Sequence, residues 1–262
     1  MKLITSRDNA FFKELAKLAA SAKCRREHNK TVLDGAHLLA AYLDSGQVPQ
    51  HILLNATVTR DEEISALLNR LTQVPVTQLD DKLFAELSEL KTPTGILSLI
   101  EIPEAATSPS HFALLLEDIQ DPGNLGSILR SAAAAGCDGV YLSSACADAW
   151  SPKVLRAAMG GHFALRIYER QELTEVARTF SGQLFASSLQ ATSSLYECDL
   201  CDDAAFMVGN EGAGLSAELM KLSTRPIKIP MPGKVESLNA AAATAVCLFE
   251  AVRQRSLIKR VL

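Results

Sequence analysis

Three pairs of polar residues stand where loops leave apolar runs: Asn124 with Arg130, Asn210 with Glu211, and Ser237 with Asn239. An amide can orient a reacting group, a guanidinium can clamp a phosphate or an oxyanion, and a carboxylate accepts hydrogen bonds or a proton. Singly, each has an ordinary explanation. An Asn after a strand is usually a turn or cap residue, a helical Arg faces solvent, and a Ser before a helix caps it. What marks them is their joint occurrence beside two glycine- and proline-bearing loops. Residues 206–208 run into Gly209, Gly212 and Gly214, and residues 226–230 run toward Gly233. Loops at the carboxyl ends of strands in an open α/β sheet are where such sheets bind small molecules.

Other chemistries lack their signatures. There is no GxxxxGK[ST] loop, no GxSxG elbow and no HExxH pair. GNEGAG is glycine-rich, but its spacing is not GxGxxG and it follows a late strand, which weakens a dinucleotide-dependent oxidoreductase. Cys198 and Cys201 form a single CxxC with no second pair and no His pair at ligand spacing, so no metal site is expected. The six cysteines are scattered through a chain long enough to build a core without disulfides. The five histidines show no pairing that suggests a general base, and His162, after two glycines, is the one that could lie near a site.

The elements that must position these residues can be read from periodicity. In the first part, Ser6 or Asp8 caps a helix with Phe11, Leu15 and Leu18 inward, and the charged run KCRREHNK breaks the pattern. Strands at 31–33, 51–54, 74–77 and 96–102 then alternate with helices at 37–43, 61–71 and 80–90, a small α/β unit. PEAATSPS, with two prolines and no periodicity, reads as a linker at 103–110. The second part opens with FALLLED, an apolar run suited to a strand buried on both faces. A helix capped by Asn124 follows, carries Arg130, and ends at Gly136. Further strands at 140–142, 165–168, 184–186, 206–208 and 226–230, with helices at 151–159 and 171–180, predict a mostly parallel sheet of about six strands. A last helix opens at Ser237-Leu238-Asn239 and runs to Arg255.

Length and composition agree with two domains: 262 residues, 48% hydrophobic and 21% charged. No apolar run reaches the roughly 18 residues of a membrane span, and the amino terminus lacks the apolar core of a signal peptide, so the chain reads as cytoplasmic. The net charge is −4, yet residues 1–30 hold eight basic against three acidic residues. Such a patch can bind phosphates while the remainder stays acidic, although a solvated helix face would look the same.

Taken together, DPGNLGSILRSAAAAG, FMVGNEGAGLS and IPMPGKVESLNAAAATAVCLFEA resemble, in order and spacing, three successive motifs of the SpoU/TrmH family of RNA ribose methyltransferases, within the SPOUT class. The likeness covers about residues 112–255. The amino-terminal part is similar to the small substrate-binding domain of rRNA-directed members through SRDNAFFKELAKL, TVLDGAHLL and KTPTGILSLI, with Asp34 where Glu is usual and Thr94 where Gln is common.

The resemblance implies an α/β substrate-binding domain over 1–102, the linker, and a methyltransferase domain over 111–262 with a deep trefoil knot. It implies S-adenosyl-L-methionine as cofactor, RNA as partner (rRNA ahead of tRNA), and a homodimer. It places Gly209, Asn210, Gly212, Ile229, Met231, Leu238 and Ala240 around the cofactor, where glycines admit the backbone and Ile229, Met231 and Leu238 form an apolar slot for a flat base. It places Arg130 nearest the ribose hydroxyl, with Asn124 orienting and Glu211, Ser237 and Asn239 completing the site. SPKVLRAAMGG also matches the family, which implies Lys153 and Arg156 as phosphate contacts, although a salt-bridged surface helix would look the same. A non-catalytic RNA-binding module that kept the fold is the alternative of another class, and calorimetry with S-adenosylmethionine separates the two.

Overall fold

The structure, a computed structural model, describes residues 2–57, 62–88, 90 and 93–258. Asp61 of the expected helix at 61–71, Glu89 of that at 80–90, and Lys91 and Thr92 of KTPTGIL lie outside the described residues. The chain forms two compact units, one of residues 1–103 with 150–163, the other of residues 104–149 with 164–262.

In the first unit the order is β1 (Lys2–Ile4), α1 (Ala10–Ala20), α2 (Ala22–His28), β2 (Lys30–Asp34), α3 (Ala36–Asp44), β3 (His51–Asn55), α4 (Glu62–Asn69), β4 (Val76–Leu79), α5 (Asp81–Leu87) and β5 (Ile96–Glu101). The sheet order is β1-β4-β3-β5-β2, with β5 antiparallel to both neighbours. Phe12, Leu15 and Leu18 of α1 pack with Leu53, Leu97 and Leu99 on one face. Leu39, Ile64 and Leu67 pack with Ile52, Leu54 and Ile96 on the other. Two sequence expectations change here. Asn9, not Ser6 or Asp8, caps α1 by accepting from the Phe11 and Phe12 N–H groups, and Phe12 is buried in the core while Phe11 packs half-buried against it. The charged run, though it breaks the apolar pattern, is helical to His28: Ser21 caps it by accepting from the Cys24 N–H, and Arg25 turns inward and donates to the Leu18 and Ala19 carbonyls that end α1.

The second unit holds β6 (Phe112–Leu116), α6 (Pro122–Ala135), β7 (Gly139–Leu142), β8 (Arg166–Tyr168), α8 (Leu173–Thr179), β9 (Gln183–Ser187), β10 (Ser193–Ser194), β11 (Ala204–Val208), α9 (Ala217–Leu222), β12 (Arg225–Lys228) and α10 (Ala240–Ile258). Helix α7 (Pro152–Ala158) belongs to the first unit, where the Thr31 hydroxyl donates to the Trp150 carbonyl and Phe163 packs edge-on against Tyr42. Lys153 and Arg156 therefore travel with the first unit, and so does His162, buried at 1% exposure beside Trp150.

The sheet has seven parallel strands in the order β10-β12-β9-β11-β6-β7-β8, one more than expected because the two-residue β10 has no apolar pattern. β6 and β11 lie side by side at its centre with every residue buried, as a strand covered on both faces requires. The chain leaves β6 toward β7 and β8 on one side and returns to β9 and β12 on the other, so the strand order reverses at β6 and β11. The crevice outside such a reversal is the usual binding position. The expected linker is not a free tether. The Arg166 guanidinium donates to the Ser108 and Pro109 carbonyls and the Tyr168 hydroxyl to the Ala106 carbonyl, tying residues 106–109 to the edge strand β8. Among the described residues no helix is long and apolar enough to cross a membrane, and no group of three His, Cys, Asp or Glu is arranged to hold a metal.

Candidate active site

The loops after β6, β11 and β12 meet outside the carboxyl end of the sheet. After β6 the chain turns at Pro122, in the first turn of α6. Asp121, not Asn124, is the N-cap, its carboxylate accepting from the Asn124 N–H at 2.7 Å. That frees the Asn124 side chain, which the sequence reading spends on the cap.

At the start of α10, the Asn239 Oδ1 accepts from the Ala241 N–H at 2.9 Å and the Ala242 N–H at 3.3 Å. Its amide nitrogen is left to donate to Asn124 Oδ1 at 2.8 Å. Asn124 in turn donates through Nδ2 to Glu211 Oε1 at 2.6 Å. The helix cap thus sets the direction of the whole relay, since an amide whose oxygen is occupied by N–H donors can only give on its other side. Of the side-chain oxygens in this relay, Glu211 Oε2 is the one without a partner among the described residues.

Gly209 is buried where β11 ends. A Cβ there would lie 2.2 Å from the Gly214 carbonyl carbon and 2.4 Å from the Leu215 nitrogen, so the loop closes on itself only because residue 209 has no side chain. Asn210 organises the turn: its Oδ1 accepts from the Gly212 and Ala213 N–H groups at 2.9 and 3.1 Å, and its Nδ2 donates to the Asp118 carbonyl at 3.0 Å. Gly214 takes φ 71°, a conformation open to glycine.

The loop after β12 is different in kind. Among the described residues, residues 229–238 make no hydrogen bond at all, in backbone or side chain. Ile229 and Met231 are half-buried, Leu238 is exposed, and Ala240 is buried at the head of α10. Uncommitted amide groups beside apolar side chains are what an adenosyl group needs: N–H and C=O partners for the base edge and apolar contact for its faces. The donor set therefore fits S-adenosylmethionine.

The structure joins Asn124, Glu211 and Asn239, and places Gly209, Asn210 and Gly212 in one turn. It does not join Arg130 or Ser237 to the relay. Arg130 is exposed two turns along α6 and Ser237 is exposed in the loop, each without a hydrogen bond or ion pair among the described residues. Sequence reasoning missed Glu117 and Asp118. The Glu117 carboxylate accepts from the Ser216 N–H at 2.7 Å, and the Asp118 carbonyl receives Asn210. Their signal was position: two acids directly after a fully buried parallel strand, at the mouth of the sheet. Cys146, beside them, has its thiol pushed up by burial.

Residues 111–249 match the SpoU rRNA Methylase family, and residues 9–98 match the MRM3-like substrate binding domain. An uncharacterized tRNA/rRNA methyltransferase of Synechocystis is 36% identical, covering 96% of this chain and 94% of its own. The 23S rRNA (guanosine(2553)-2'-O)-methyltransferase RlmP of Bacillus subtilis is 31% identical, covering 95% of this chain and 98% of its own. Among solved structures, the SpoU methyltransferase AviRb of Streptomyces viridochromogenes, crystallised with AdoMet, superposes with a TM-score of 0.84 at 28% identity, over 95% of this chain and 98% of that one.

Proposed function

This chain belongs to the SpoU rRNA Methylase family, and from that premise we propose how its residues carry methyl transfer from S-adenosylmethionine to a ribose 2′-hydroxyl of ribosomal RNA. It is an S-adenosylmethionine-dependent RNA 2′-O-methyltransferase. The observation that carries the assignment of roles is the Asn239–Asn124–Glu211 relay, which joins three segments distant in sequence beside a loop of uncommitted backbone groups.

When bound, the cofactor supplies a methyl group on a sulfonium, a good leaving group, so the protein's tasks are alignment and care of one proton. We assign Gly209, Asn210, Gly212, Ile229, Met231, Leu238 and Ala240 to holding the cofactor, by free amide groups and apolar contact. Asn124, locked by Asn239, orients Glu211. Glu211 Oε2, the open acceptor of the relay, receives the hydrogen bond of the 2′-hydroxyl and takes up its proton as the ribose oxygen is methylated. Ser237, exposed and without a hydrogen-bond partner among the described residues, supplies a second contact to that hydroxyl. Arg130 serves as a clamp rather than a base, since a guanidinium keeps its proton at neutral pH; it grips the target phosphate and steadies charge growing on the ribose oxygen.

The first unit supplies RNA binding, as the substrate-binding match suggests. The trefoil knot, a homodimer and a cytoplasmic location belong to the same reading. Arg130→Ala is expected to abolish methyl transfer while leaving S-adenosylmethionine affinity nearly unchanged by calorimetry. Wild-type turnover in that variant would remove Arg130 from the mechanism. The substrate is tested by mapping ribose methylation across total RNA from cells with and without this chain. A site lost from transfer RNA alone would move the assignment to tRNA, which the name of the Synechocystis relative also allows.

A further inference from the structure

Asp118 has φ 57°, in the left-handed region that residues with a Cβ rarely enter. A local interaction must hold it there, and Ser143, just past β7, provides one in both directions. The Ser143 hydroxyl donates to Asp118 Oδ1 at 2.6 Å and accepts from the Asp118 N–H at 2.9 Å. The left-handed turn aims the Asp118 carbonyl at the neighbouring loop, where Asn210 Nδ2 donates to it at 3.0 Å. One residue earlier, the Glu117 N–H still donates to Val208 across the strands while its carboxylate accepts from the Ser216 N–H at 2.7 Å. The two consecutive acids therefore grip the loop after β11 near both of its ends, Asn210 and Ser216. The span between them is largely exposed: among the described residues its hydrogen bonds run within the loop and, through Glu211, to Asn124, and Leu215 packs half-buried against the core.

We propose that Glu117, Asp118 and Ser143 are positioning residues that clasp the loop of residues 209–216 in the shape that receives the cofactor, acting through Asn210 and Ser216 and not by touching the cofactor. The inference rests on the cofactor assignment made above. A strand end that merely terminated pairing would need neither the left-handed residue nor two separate grips on a neighbouring loop, and strained backbone that is locally over-determined is characteristic of functional sites.

The test compares breaking and conserving variants in the full chain. Glu117→Ala and Ser143→Ala each remove a grip. Glu117→Gln and Asp118→Asn keep an oxygen at the accepting position, and Asn tolerates the left-handed conformation. Two measurements are made. Hydrogen exchange without cofactor at the amides of residues 212–216 reads the clasp alone. Calorimetry with S-adenosylmethionine, together with KM and kcat, reads its use. The breaking variants are expected to exchange faster in the loop and to raise the Kd and KM for S-adenosylmethionine roughly tenfold or more, with kcat at saturation less affected. Both conservative variants should stay near wild type. Unchanged exchange in the breaking variants would overturn the clasp, and faster exchange with wild-type Kd and KM would overturn its role. Wild-type protein that shows no heat with S-adenosylmethionine would instead sink the cofactor assignment, and with it the use proposed for the clasp.

Discussion

Asn124 is the residue on which the site turns, because it accepts from one side chain of the relay, Asn239, and donates to the other, Glu211. Replacing it with Asp keeps its shape but exchanges the N–H donor that faces Glu211 Oε1 at 2.6 Å for a second carboxylate oxygen. Two carboxylates at that separation cannot both remain ionised cheaply, so the variant must shift apart or bind a proton. Asn124→Ala deletes the link but leaves two exposed groups that water can serve, which costs less. We expect Asn124→Asp to lower kcat/KM by about 100-fold or more at neutral pH, more than Asn124→Ala does. Its activity relative to wild type should recover as the pH falls, because a proton on either carboxyl restores the missing donor. Rates measured for both variants between pH 5 and 8 check this. If the two fall equally at every pH, Asn124 acts through bulk and not through the direction of its hydrogen bonds.

At the scale of elements, the glycines of the two loops do different things. A Cβ on Gly209 would meet the backbone of Gly214 and Leu215, which cannot rotate aside, whereas one on Gly233 meets nothing within 4 Å. Gly209→Ala is therefore expected to open the turn and lose most S-adenosylmethionine binding by calorimetry, while Gly233→Ala binds within about twofold of wild type. Equal binding by both would mean that the turn at Gly209 is not part of the pocket. The sequence exposed these loops because their glycines and prolines interrupt apolar strands, and β6 and β11 were legible as nearly unbroken apolar runs. What it could not expose was competition between neighbours. Asp121 and Asn124 are both good caps, and only the backbone path through Pro122 decides that Asp121 takes the N–H and Asn124 is released. Likewise KCRREHNK lacks an apolar period, and its helix is capped by Ser21, which accepts from the Cys24 N–H, and tied by Arg25 to carbonyls at the end of α1, the second a contact with no trace in the local pattern.

For the whole molecule, net charge is a poor guide to where RNA would lie. The chain carries −4, and the basic excess of residues 1–30 is partly spent within the fold. Arg25 is buried, and Arg7 pairs with Glu86 at 2.8 Å, Lys13 with Asp8 at 2.8 Å and Lys23 with Glu27 at 3.7 Å. The Lys13 pair is close enough to hold the Asp8 carboxyl below its ordinary value. Lys2, Lys17, Arg26 and Lys30 have no ion-pair partner among the described residues, so these are the cations available to displace counterions condensed on RNA phosphates. Each phosphate neutralised contributes about 0.7 to 0.9 to the slope of log K against log salt concentration. Lys17→Gln with Arg26→Gln should accordingly flatten that slope by roughly 1.4 to 1.8 in titrations with a ribosomal RNA fragment. Lys13→Gln, whose charge already has Asp8, should change it by less than either free cation does. The comparison separates two pictures that sequence alone leaves equal, since a merely solvated face would leave the slope untouched in both variants. A uniform loss across the free and the paired lysines would point instead to the long-range field of the unit, with no defined phosphate contacts at the amino-terminal helices.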